Sequence, residues 1–168
     1  IAEFTGAGAG NCFYHGFEAY EPTASGVLVS SSYAHGGLHS VTSSSANSTF
    51  TYPFEFSSQG ASASQYLFSA WVMPIGSASQ VRITVKSSSG TIYKQQSFTG
   101  ITRNKWQYFE VLFPLSVSQE SLRFTIDNGS NANVGYVDDI RFSPGSSNFS
   151  AQIYEIHSYL PSGELDNQ

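Results

Sequence analysis

The chain has 168 residues, of which 40% are hydrophobic and 15% aromatic, enough for one globular domain with a real core and unlike a disordered segment. Only 11% are charged and the net charge is −5, which excludes the basic patches that nucleic acid or anionic lipid would require. The single cysteine, Cys12, excludes an internal disulfide and a cysteine-based zinc site, and no apolar run reaches the ~18 residues of a membrane span.

Residues 1–10 read as a flexible tail, since TGAGAG carries no strand pattern and lacks dinucleotide-binding spacing. Asn11 to Tyr20 reads as a first strand that buries Phe13 and Phe17, with Glu18 inside the apolar stretch. Val27 to Ser30 is a short strand. A turn on Gly36-Gly37 then leads into a strand over 38–43. His35 and His39 flank that turn. The glycine pair breaks any helix that would put both on one face, so they read as solvent-exposed loop histidines.

Thr49 to Phe56 alternates, with Phe50, Tyr52, Phe54 and Phe56 on one face, and Pro53 makes it an edge or bulged strand. Residues 57–64 are a loop. Gln65 to Met73 is apolar on both faces and should be a central strand, with Trp71 a packed core aromatic. From Gln80 to Lys86, Val81, Ile83 and Val85 point inward and Arg82, Thr84 and Lys86 outward. Residues 87–90 make a hairpin loop to the strand at 91–98. Asn104 to Phe113 sets Phe109, Val111 and Phe113 against Trp106, Tyr108 and Glu110, and Leu122, Phe124 and Ile126 repeat the pattern before a turn over 127–131.

The last long strand runs over 135–142. Alternation places Tyr136, Asp138, Ile140 and Phe142 on one face and Val137, Asp139 and Arg141 on the other. Ile140 and Phe142 mark the core face, so Asp138 is expected to point inward. An inward carboxylate costs roughly several kcal/mol unless it is paired, hydrogen-bonded or bound to a metal. With 7 Lys+Arg against 12 Asp+Glu, calcium is one option for Asp138 and a set of backbone N–H donors is the other.

Short strands between Gly/Ser turns, with no helical periodicity, predict an all-β fold: a two-sheet antiparallel β-sandwich of jelly-roll type. The sandwich should cover 11–145, with a linker and C-terminal extension over 146–168, and its first and last long strands should meet inside it.

The order of features resembles carbohydrate-binding modules of families 4 and 9 and their jelly-roll relatives. The matching residues are Gly16-Phe17-Glu18, then 34–41 (AHGGLHSV), 66–72 (YLFSAWV), 106–109 (WQYF) and 136–142 (YVDDIRF). The resemblance implies a structural calcium that ties the first strand and the glycine turn to the last strand. Its ligands would be Glu18 and Asp138, with backbone carbonyls near Gly37 and His39. Asp139 would pair with Arg141 or supply one further oxygen. It carries no glycan-binding residue across, because the ligand face varies most within such modules.

Sugars are held by aromatic rings stacked on pyranose faces and by polar side chains that bond the hydroxyls. The outward faces of three consecutive strands supply such groups: Arg82; Tyr93 and Gln95; Trp106, Tyr108 and Glu110. If the strands lie side by side, Tyr93 and Tyr108 form one platform rimmed by Arg82, Gln95 and Glu110. The alternative is that a loop buries Trp106 and the tyrosines are ordinary surface residues.

Catalysis is not expected. Glycoside hydrolysis needs two carboxylates flanking a cleft, Glu18 with Asp138 is the only pair brought together, and a metal would engage both. No G-x-S-x-G nucleophile elbow occurs. The tail over 151–165 resembles the opening of a YD (Rhs-type) repeat, with Tyr154-Glu155 in place of the Tyr-Asp pair. That resemblance implies a larger bacterial surface or secreted parent; the alternative is a terminal hairpin. The expectation is therefore a non-catalytic, monomeric polysaccharide-binding module with other domains as neighbours and no nucleic-acid or membrane-inserting role. The alternative is a structural or adhesion β-sandwich spacer with no sugar ligand.

Overall fold

The segments with two-residue alternation are strands in the computed structural model, which describes residues 2–5, 11–18, 27–43, 49–57, 65–130, 134–154 and 161–166. In chain order they are β1 (Ala2–Thr5), β2 (Phe13–His15), β3 (Val27–Ser30), β4 (Ser40–Ser43), β5 (Phe50–Ser57), β6 (Gln65–Pro74), β7 (Gln80–Ser87), β8 (Ile92–Thr99), β9 (Gln107–Pro114), β10 (Gln119–Asp127), β11 (Gly135–Pro144), β12 (Asn148–Tyr154) and β13 (Pro161–Asp166). The glycine-rich 6–10, the end of the expected first strand at 19–20, the loop at 58–64 and the tail at 155–160 lie outside the described residues.

One sheet runs β5-β10-β7-β8 and the other β3-β4-β11-β6-β9, with β2 also on β11. All the pairings within these sheets are antiparallel, and the two sheets form the two-sheet sandwich of a jelly roll. β5 is an edge strand, as Pro53 requires, because proline donates no ladder bond. β6 is central, between β11 and β9, which agrees with its apolar run. The first and last long strands meet: Phe13 pairs with Phe142 and His15 with Ile140.

Phe142 knots the two inner faces together. Its ring lies 5.2–5.4 Å from Phe124, Tyr66 and Phe54, and Phe124 stacks on Phe68 at 4.5 Å. Phe17, Val81, Ile83, Val85, Phe109, Val111 and Phe113 complete a core fully or nearly fully withdrawn from water. This aromatic core fits the composition, since each ring buries more apolar area than an aliphatic side chain.

The chain departs from simple alternation at three places. Ala2–Thr5, expected in a flexible tail, pairs with β12, and β12 pairs with β13, in a separate three-stranded sheet. The first strand stops at His15, and Phe17 turns with φ 59° so that its ring enters the core. Most consequential is a bulge in β11 between Asp138 and Arg141, with Asp139 at φ 46°. The extra residue resets the alternation, so Val137 joins Ile140 and Phe142 in the core. Asp138 therefore does not point inward with Ile140. It lies opposite Trp71 on the outer side of the sheet, yet is wholly buried.

Candidate functional site

What buries Asp138 is the turn at 35–37. Its Oδ2 accepts the backbone N–H of His35 at 2.8 Å and of Gly36 at 3.2 Å, and Oδ1 accepts the N–H of Asp139 at 2.8 Å. The next carboxylate is taken by side chains: His35 Nδ1–H donates to Asp139 Oδ2 at 2.7 Å, and the Tyr14 hydroxyl donates to Oδ1. Glu18 Oε1 accepts the N–H groups of Leu38 (2.8 Å) and His39 (3.2 Å), while His39 Nδ1 lies 3.3 Å from Oε2. The histidines are thus not exposed loop residues but half-buried partners of carboxylates, with side-chain exposures of 19% and 24%. The glycines permit the approach. A Cβ at Gly37, where φ is 66°, would lie 2.1 Å from Glu18 Oε1, and one at Gly36 would lie 3.0 Å from Asp139 Oδ2.

Asp138 and Glu18 therefore both accept backbone N–H groups from the 35–39 turn, where the resemblance implied backbone carbonyls beside them. Burial, and then the adjacent Asp139 charge, push the Asp138 carboxyl up to about 8; the three N–H donors only partly offset this. The carboxylates are hard oxygens of the kind calcium takes, but three N–H bonds already use three of the about four lone-pair sites on Asp138, which is the backbone-donor alternative to a metal. Among the described residues no group of three or more His, Cys, Asp and Glu side chains could hold a metal ion alone. An ion at this turn would need backbone carbonyls as well.

The other face of interest lies beside this turn, on the outer side of the six-stranded sheet. Trp71 on β6 and Tyr108 on β9 are in register, with ring centroids 5.7 Å apart. His35 stacks on Trp71 at 3.7 Å and 16°, and Trp106 meets His35 edge-on at 5.8 Å. Tyr108 is 41% exposed. Its hydroxyl donates to Glu110 Oε2 at 3.0 Å and accepts from Arg141 Nη2 at 3.0 Å. Burial raises the pKa of this phenol, which keeps it a neutral donor. Rings that can lie against a sugar thus sit next to a cation, a carboxylate and a hydroxyl that can bond its hydroxyls.

The outward-facing residues expected to lie side by side are split between the two sheets. β7 and β8 belong to the four-stranded sheet and β9 to the six-stranded one, because the 100–106 connection crosses the sandwich. Trp106, Tyr108 and Glu110 stay together on the aromatic face. Arg82 and Gln95 face away on the other sheet, Arg82 paired with Asp127 at 2.9 Å and Gln95 with Thr84 at 3.2 Å. Tyr93 is no platform residue: it packs on the core and bonds Glu120 at 2.8 Å.

Sequence reasoning missed Trp71 and Arg141. Trp71 shares parity with Ser69 rather than with buried Tyr66, Phe68, Ala70 and Val72, and that parity was the available signal.

No family model matches the chain, and no curated protein does. Solved structures match in fold. The xylan-binding CBM22-1 domain of Xyn10C from Paenibacillus barcinonensis has a TM-score of 0.53 and 16% identity, over 82% of this chain and 96% of that one. A family 35 carbohydrate-binding module from an environmental isolate gives 0.54 and 19%, over 80% and 95%. The C-terminal CBM6 of LamC, a marine laminarinase from Zobellia galactanivorans, gives 0.51 and 19%, over 79% and 99%. At these identities the likeness establishes a shared jelly-roll fold. Among the described residues no helix is long and apolar enough to cross a membrane.

Proposed function

We propose that this chain is a non-catalytic glycan-binding module and that it binds polysaccharide on the outer face of the six-stranded sheet. The observation that carries this reading is the half-exposed group of Trp71, Trp106 and Tyr108 beside Arg141 and Glu110 on one face. Among the described residues the other sheet's outer face, with Arg82, Thr84, Lys86, Arg123 and Thr125, carries no such group of rings, so the two faces should differ in function. The fold neighbours named for carbohydrate binding support the same reading. A polysaccharide partner fits a secreted or surface location and a larger parent protein. The β12–β13 pairing is compatible with the strand-turn-strand unit of a YD-type repeat in the tail.

Calcium belongs to the same proposal. Glu18 and Asp138, with the backbone carbonyls of Gly37 and His39, would hold it. Its charge would neutralise the buried Asp138–Asp139 pair and fix the turn against β11. Support comes from the buried carboxylates and the raised Asp138 carboxyl.

The test is retention on immobilised xylan, β-glucan, galactan and laminarin, with Tyr108→Ala as the control. Retention on one glycan that falls in the folded variant supports the binding reading. Retention on none, with native-like melting, would leave a structural spacer.

A further inference from the structure

Within the aromatic group, Trp71 has a second flat ring pressed on it. The His35 imidazole lies parallel to its indole at a centroid distance of 3.7 Å and 16°, so one indole face is occupied by protein. The imidazole cannot slide away, because its Nδ1 is bonded to Asp139, and Asp139 is itself held by Tyr14. Asp139 reaches that position through its φ of 46° in the β11 bulge, and the glycine at 36 leaves its oxygens room to do so. The His35 backbone is pinned separately, through its N–H to Asp138. A bulge, a buried carboxylate and a glycine turn all serve to set one imidazole plane.

From this we infer that His35 is a positioning residue: it fixes the plane of Trp71 and leaves the opposite face or edge of the indole for the sugar. The inference rests on the glycan-binding reading and deepens it, since it makes the carboxylate turn part of the binding face rather than only a structural clasp. A surface tryptophan that can rotate about χ1 and χ2 loses that freedom when it binds, and a ring locked beforehand avoids the loss. The buttress depends on a flat ring and on its Nδ1 bond to Asp139, so another flat ring at 35 should replace it only in part.

The test compares wild type, His35→Ala and His35→Phe. The alanine variant keeps the backbone bond to Asp138, so the turn stays closed, and far-ultraviolet circular dichroism checks the fold. Acrylamide quenching of indole fluorescence is read without ligand, in a Trp106→Phe background that isolates Trp71. Retention on xylan, β-glucan, galactan and laminarin is read with Trp106 intact. The expected result is severalfold stronger quenching and roughly tenfold weaker retention for His35→Ala, with both partly restored by His35→Phe. Unchanged quenching in His35→Ala would overturn the inference. So would tighter glycan retention, which would make the imidazole a lid over the indole. If wild type retains no glycan, the binding reading fails and the quenching comparison alone decides whether His35 orders Trp71.

Discussion

The charge of Asp138 decides how the turn behaves. Its carboxyl is raised from 3.8 to about 8 by burial and by Asp139. The folded state therefore holds this proton more tightly than the unfolded chain does. The resulting stabilisation is full below the unfolded pKa and is lost as pH rises through about 8. With a chelator present, the melting temperature should fall between roughly pH 4 and 8 and level off above that, and Asp138→Asn should flatten the fall. Calcium should oppose the fall, because a bound cation favours the charged carboxylates; equal melting with calcium and with chelator at pH 8 would remove the metal from the account. Gly37→Ala is the second residue-scale prediction. It places a side chain at φ 66° and 2.1 Å from Glu18 Oε1, so it should destabilise by more than ~1 kcal/mol in denaturant unfolding. Only the resemblance to carbohydrate-binding modules implied that Glu18, Gly37, His39 and Asp138 lie near one another. It could not show that N–H donors face those oxygens or that both histidines bond carboxylates, because such contacts depend on how the turn closes.

At the scale of the strand, alternation was readable wherever one face meets the core, as in β5, β7, β9 and β10. It failed at the β11 bulge, where one residue at φ 46° shifts the face of everything before it. Strand neighbours were the second failure. β8 and β9 are consecutive in sequence, so a shared platform was expected, but a sandwich connection can cross to the other sheet with no local mark in its sequence. The difference is testable. Tyr108→Ala should weaken glycan binding about tenfold, whereas Arg82→Ala and Gln95→Ala, on the far sheet, should leave affinity unchanged in calorimetry. Equal losses at all three positions would argue for a contact surface unlike the aromatic face.

For the whole molecule, the two sheets are joined by rings around Phe142, and the aromatic composition made that core predictable even where strand order was not. Phe142→Ala should cost about 3–5 kcal/mol by denaturant unfolding, because six-membered rings on both sheets lose their common neighbour. The binding face is built on this frame, with Trp71 on β6, Tyr108 on β9 and Arg141 on β11 side by side in one ladder of strands. Side-chain positions fixed by a packed sheet need little rearrangement to meet a ligand.

The most direct measurement is an amide chemical-shift titration of the isotope-labelled chain with an oligosaccharide of whichever glycan is retained. The account predicts shifts concentrated at 69–71, 106–110 and 141, together with the indole N–H of Trp71, and quiet signals at 82–86 and 93–97. Shifts confined to β7 and β8, or no saturable shifts with any of the glycans, would contradict it.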